Sequence, residues 1–166
     1  MRGRRFPGLE ILIGIAILTL LYVIIYPQYR EIEEGNREIA TKLNMYAVKV
    51  AVENYASYNR GAFPDSIEQF NKYLENGYIN PYTQEPLDSS QIVLFSYEMH
   101  DDNKDNNPEG PNGRVRGQPG QIAYGTYIPL GDSIVREYGI VALVKDGSPL
   151  TISDAAGKEL VFVLHE

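Results

Sequence analysis

The 166-residue chain has no cysteine and only two histidines, His100 and His165. The missing thiols exclude disulfides, thiolate metal sites, a lipoprotein anchor and cysteine catalysis, although they leave an extracytoplasmic location open. Few histidine-based active sites can be built from two imidazoles. Basic residues are also scarce, 15 against 22 acidic, for a net charge of −7. That balance argues against binding a polyanion, so no nucleic-acid partner is expected. The sequence contains no GxSxG, HExxH, Walker A or GxGxxG motif. Carboxylates are numerous, yet no spacing marks a catalytic pair. The chain is therefore not expected to be an enzyme.

Hydrophobic residues make up 43% and charged residues 22%, enough for one packed domain. Charge is unevenly placed. Arg2, Arg4 and Arg5 stand at the start, and all 22 acidic residues lie beyond them. Residues 11–26 then carry no charge, and only Gly14 and Thr19 soften their apolar character. As a helix that run is about 24 Å long, and adding residues 6–9 brings it to the ~30 Å of a bilayer core. Tyr22, Tyr26 and Tyr29 sit toward its far end, where interfacial aromatics belong. The arginines predict a cytoplasmic N-terminus and an exported body. The segment after the run, Tyr26-Pro27-Gln28-Tyr29-Arg30, has no small-residue signal-peptidase site. Glu10, a carboxylate at the edge of the run, either lies at headgroup depth or finds a cation inside an assembly.

Phe6 lies four residues before Glu10, Pro27 seventeen after it, and Tyr29 two beyond Pro27. With the short basic leader and the long apolar helix, this register resembles the N-terminal methylation motif of type IV pilins and type II secretion pseudopilins. The resemblance implies a leader of residues 1–5, a transmembrane helix of residues 6–29 and an exported head of residues 30–166. It implies leader processing by a prepilin peptidase between Arg5 and Phe6, and subunit assembly through Glu10 and Pro27. In such an assembly Glu10 would pair with the new N-terminal amine of Phe6 on a neighbour. The implied partners are like or related pilin subunits and an inner-membrane assembly platform. The implied location is the cytoplasmic membrane, single-pass, and then a periplasmic or cell-surface filament. A different reading makes the chain a stand-alone single-pass protein whose exported head binds a ligand or partner.

Past the apolar run the pattern stays helical to about residue 59. Ile32, Ile39, Leu43, Tyr46, Ala47, Val50 and Tyr55 form an apolar stripe expected to pack on a sheet. Glu31, Glu34, Glu38, Lys42, Lys49 and Glu53 occupy the other side. One helix of about 50 residues is predicted, with bends at Pro27 and Gly35. Gly61 and Pro64 should end it. Asp65 or Ser66 can cap a short helix over residues 67–76. Strands are expected at residues 91–97, 121–128, 137–145 and 158–165, with turns near Gly131-Asp132 and Asp146-Gly147. The predicted fold class is α+β: a long N-terminal helix, half transmembrane and half amphipathic, packed on a small antiparallel sheet, pilin-like in layout. Residues 101–120 read as a long polar loop. Asp101, Asn103, Asp105, Asn107 and Glu109 put an oxygen at every second position, a spacing that can wrap Ca²⁺. The loop departs from an EF-hand, with Asn106 where the sharp turn needs glycine and Asn112 where a closing glutamate belongs. A solvated surface loop has the same composition. No other cofactor is indicated. Most of the 13 tyrosines are expected as core and rim fillers.

Overall fold

In a computed structural model, the structure describes residues 7–96, 109–110, 113–127, 134–153, 155–157 and 159–165. The chain divides into two compact units, Met1–Asn36 and Arg37–Glu166. One helix, α1 (Pro7–Tyr58), contributes to both.

Local chemistry sets both ends of α1. Pro7 opens it, at a position where the missing N–H would be unpaired anyway. Glu10 places its charge in the first turn, against the positive end of the helix dipole. At the other end Arg60 and Gly61 both take left-handed backbone, φ 57° and 78°. The Gly61 N–H donates to the Ala56 carbonyl at 2.9 Å, closing the last turn. Side chains serve two further terminal carbonyls. Asn59 Nδ2 donates to Tyr55 O at 2.7 Å, and Ser57 Oγ to Asn54 O at 2.7 Å. The helix continues through Pro27 and Gly35.

In the second unit a four-stranded sheet has the order β1 (Ile92–Ser96), β4 (Ile122–Tyr127), β5 (Glu137–Ala142), β8 (Val163–His165). The sheet is mixed, which corrects the antiparallel expectation. β4–β5 and β5–β8 are antiparallel, but β1 runs parallel to β4, with Ile92 opposite Ile122. The chain between them, residues 97–121, is long enough for the crossover that a parallel pair needs. Two small ribbons complete the described strands: β2 (Glu109–Gly110) with β3 (Gly113–Arg114), and β6 (Thr151–Ser153) with β7 (Glu159–Val161).

Strand alternation gives the sheet two apolar faces. Ile122, Tyr124, Tyr138, Ile140 and Ala142 point to α1 and meet Met45, Val48, Ala51 and Val52 in the main core. Phe70, from the short helix α2 (Ile67–Asn71), lies edge-on to Tyr124, with ring centroids 5.1 Å apart. Ala123, Val141 and Leu143 point the other way and form a smaller cluster with Val115. Gly125 lies opposite Phe95 in the ladder, and a Cβ there would sit 2.5 Å from the Phe95 ring.

α2 is shorter than predicted. Beyond Asn71 the Tyr73 and Leu74 amides reach back only three residues, to Phe70 and Asn71, so the chain turns early. Gln69 caps the start in place of Ser66. Its Oε1 accepts from the Asp65 N–H at 3.1 Å and its Nε2 donates to Asp65 Oδ1 at 2.7 Å. The predicted strand over residues 158–165 is two strands in two sheets. At Phe162 the N–H turns to the Leu150 carbonyl, 2.8 Å away, and the pairing partner changes. The Asp146-Gly147 turn is present, with Gly147 at φ 74° and Leu143 bridged to Pro149. Gly131 and Asp132 lie outside the described residues.

Candidate functional site

The most unusual surface is on α1. From residue 9 to residue 26 the large apolar side chains lie exposed all around the helix, between 44% (Tyr26) and 67% (Leu18). A fully exposed Leu or Ile forgoes about 1.5–3 kcal/mol of transfer free energy, so over the run the penalty in water reaches the order of tens of kcal/mol. Among the described residues, α1 is the one helix long and apolar enough to cross a membrane. The one aliphatic hydroxyl of the run is satisfied within the helix, Thr19 Oγ donating to the Ile15 carbonyl at 2.9 Å. Toward its outer end the Tyr22 and Tyr26 rings stack 5.1 Å apart, and the Arg30 guanidinium lies 5.9 Å from the Tyr26 ring. Apolar bodies with polar tips beside a cation suit a water–lipid boundary.

Glu10 is exposed in the first turn, with no ion-pair partner among the described residues. Pro27 lies inside the same helix. Arg5 and Phe6 lie outside the described residues, so the structure brings nothing to them.

The apolar stripe of the outer half faces away from the sheet, which corrects the sequence expectation. Of the residues assigned to it, Ala47 is buried and Tyr55 half-buried, whereas Ile39, Leu43, Tyr46 and Val50 remain 58%, 56%, 48% and 46% exposed. The buried face carries Thr41, Asn44, Met45, Val48, Ala51 and Val52 instead, and Met45, Val48, Ala51 and Val52 share the main core with the sheet. The physical reason is size. Alanines and valines let a flat sheet approach the helix axis, and Ile, Leu and Tyr at the same place would hold it off. The two buried polar groups are satisfied. Thr41 Oγ donates to Arg37 O at 2.8 Å, and Asn44 Nδ2 to Ile79 O at 2.9 Å.

Asp101, Asn103, Asp105, Asn107 and His100 also lie outside the described residues. Glu109 stands in β2, opposite Arg114. Among the described residues no group of three or more His, Cys, Asp or Glu side chains could hold a metal ion. His165 pairs through its backbone register with Gly139 at the edge of the sheet.

A buried polar centre that spacing did not reveal surrounds Asn80, which is fully buried. Its Nδ2 donates to Gln91 Oε1 (2.8 Å) and to Pro119 O (2.9 Å), while its Oδ1 accepts from the amides of Tyr82 (2.9 Å) and Thr83 (3.3 Å). Gln91 Nε2 in turn donates to Glu85 Oε2 at 2.7 Å. The signal in the sequence was the Asn80-Pro81 pair opening a turn, which the network then ties to distant loops. Every polar atom here is used internally, so the centre is structural.

Comparison with protein-family models, with curated proteins and with solved structures finds no match to this chain.

Proposed function

We propose that the chain is a structural subunit of an envelope filament, of the type IV pilus or type II secretion pseudopilus kind, held in the cytoplasmic membrane by α1 before assembly. The observation that carries this reading is the helix itself. Its first half is apolar and exposed on every side, and it continues without interruption into the unit that holds the sheet. The register of Phe6, Glu10, Pro27 and Tyr29 supports it. In this reading lipid covers the apolar half until an assembly platform draws the subunit out, and neighbouring helices then replace lipid. Glu10 finds its cation on a neighbouring subunit, and the pair selects axial register more than it adds stability. No step in this mechanism requires a catalytic group.

A second reading rests on Arg5. Pilin leaders end in glycine before the aromatic, and this chain has arginine there. Arg5 favours a leader that stays attached, and with it a permanent single-pass anchor whose exported head binds a partner. The intact mass of the protein from its native membrane, with its N-terminal peptide sequenced, separates the two. A chain that begins at Phe6 and is one methyl group heavy supports the filament subunit. A chain that keeps Arg2 to Arg5 overturns peptidase processing and leaves the anchored head.

A further inference from the structure

Between Tyr29 and Val50 the exposed large apolar residues of α1 follow a seven-residue count, which extends inward through a run that is apolar on every side. Tyr22, Tyr29, Asn36, Leu43 and Val50 fall at one heptad position, a. Leu18, Ile25, Ile32, Ile39 and Tyr46 fall three residues after it, at d. All of these positions are exposed in the structure. The fold of the second unit buries other positions of the count: Thr41 and Val48 at f, Asn44 and Ala51 at b, Met45 and Val52 at c, and Ala47 at e. The seam stops where the next d position is Glu53, engaged with Lys49 at 3.3 Å. A repeat of 3.5 residues with one asparagine at a is the pattern by which helices pair with each other.

We propose that two copies of this chain associate in parallel and in register through this seam, with the two Asn36 side chains facing each other. The proposal takes from the preceding reading only that both copies cross the membrane in the same direction. Lipid cannot cover the outer part of the seam, because Glu31, Glu33, Glu34, Arg37 and Glu38 surround it on the same helix. The chain's own sheet lies on other faces. A second copy presents the same residues at the same depth, so parallel alignment brings a to a and d to d. Tyr29, Ile32, Ile39, Leu43, Tyr46 and Val50 are 46–64% exposed. They present roughly 600 Å² per copy, or about 1,200 Å² for a pair, where stable interfaces begin.

The flanks fit as well. In a parallel pair each g residue meets the e residue five positions on in the other helix. Those pairs are Gln28 with Glu33, Gly35 with Ala40 and Lys49 with Asn54, and none joins like charges, while Ala47, the e residue between Ala40 and Asn54, is taken up in its own core. Isoleucine at d favours higher order, whereas asparagine at a favours two strands and fixes their register. The sheet packed along one side of each helix also favours two. In-register pairing differs from the axially offset packing of a filament, so it describes the subunit as it waits in the membrane.

The absence of cysteine makes the test clean. Single substitutions Leu43→Cys, Val50→Cys and, off the seam at c, Glu31→Cys are made in the full-length chain in its native membrane, followed by mild oxidation. Disulfides form where Cα atoms come within about 7 Å, so Leu43→Cys and Val50→Cys should give linked dimers at least about tenfold faster than Glu31→Cys. Adding Asn36→Leu to Leu43→Cys should keep the chains associated but slow linkage at position 43, because registers other than the parallel one are then populated. Equal rates at Glu31 and Leu43, or faster linkage at Glu31, would overturn the proposal. Alkaline extraction of the same membranes reads the anchoring separately. Release of the chain with selective linkage at Leu43 would sink the membrane reading and keep the seam.

Discussion

Asn80 uses both of its donors and both lone pairs of its oxygen inside the fold. Its neighbour Gly120 approaches so closely that a Cβ there would lie 2.0 Å from Asn80 Oδ1. Removing the amide takes a partner from two backbone N–H groups, one carbonyl and the Gln91 Oε1 atom. Asn80→Ala should therefore cost about 2–4 kcal/mol, read as a lower urea midpoint of the detergent-solubilised chain. A loss below about 0.5 kcal/mol would mean that water replaces the amide. Tyr124 is the corresponding group for pH. It is buried, its hydroxyl donates to the Pro64 carbonyl at 2.7 Å, and burial, with Tyr138 and Asp65 nearby, pushes its phenol far above the ordinary range. The folded state favours the neutral phenol, so this stability is fully present below the ordinary value of about 10. It is lost as pH rises above that value, toward the folded one. In an absorbance titration Tyr124 should ionise only together with unfolding. Tyr124→Phe should remove that coupled step and lower stability by about 1 kcal/mol. A phenol titrating near pH 10 in the folded chain would contradict the buried placement.

At the scale of elements, the end of α1 offers a paired prediction. Arg60 and Gly61 both adopt left-handed backbone, but only glycine does so without strain. Arg60→Gly should stabilise the chain and Gly61→Ala destabilise it, each by about 1 kcal/mol, in opposite directions on one urea curve. The same end shows what a sequence can specify. Pro7, the uncharged run and Gly61 are local signals, and the helix runs from Pro7 to Tyr58, close to the predicted span. The existence of β1, β4 and β5 was equally local, written in their alternation. Pairing was not. Nothing within residues 92–96 says that Ile92 will lie parallel to Ile122, because a long crossover leaves either direction open. Nothing within residues 158–165 marks Phe162 as the point where the chain leaves one sheet for another. The outer half of α1 was harder still. It carries apolar residues on two faces, and counting hydrophobicity chose Leu43 and Val50, whereas close approach of the sheet chose Val48 and Ala51. Of the candidate site, Glu10 and Pro27 were legible as positions in a helix. In the proposed filament the cation that Glu10 would meet belongs to another molecule, and one chain does not encode its neighbour's geometry.

At the scale of the whole molecule the two units ask for different solvents. Residues 9–26 are stable in hydrocarbon or against other helices, and the second unit has its own core. Glu10 is where the two solvents of the helix can be told apart. In lipid a carboxylate is a burden, about 2.5–3.5 kcal/mol at the centre of a bilayer and less near its edge. Glu10→Leu should therefore leave insertion intact or strengthen it, seen as an unchanged or larger alkali-resistant membrane fraction. In a bundle of like helices the same substitution leaves a neighbour's cation buried without a partner, a loss of about 3–5 kcal/mol. On the proposed filament reading, incorporation into sheared filaments should then fall at least about tenfold. Glu10→Gln separates charge from polarity, since it keeps the size and hydrogen bonding of glutamate but cannot neutralise the cation. If the Glu10→Gln chain assembled as well as the parent while the Glu10→Leu chain failed, a hydrogen bond would be sufficient. If both variants assembled normally, Glu10 would have no part in assembly, and the helix would be an anchor alone.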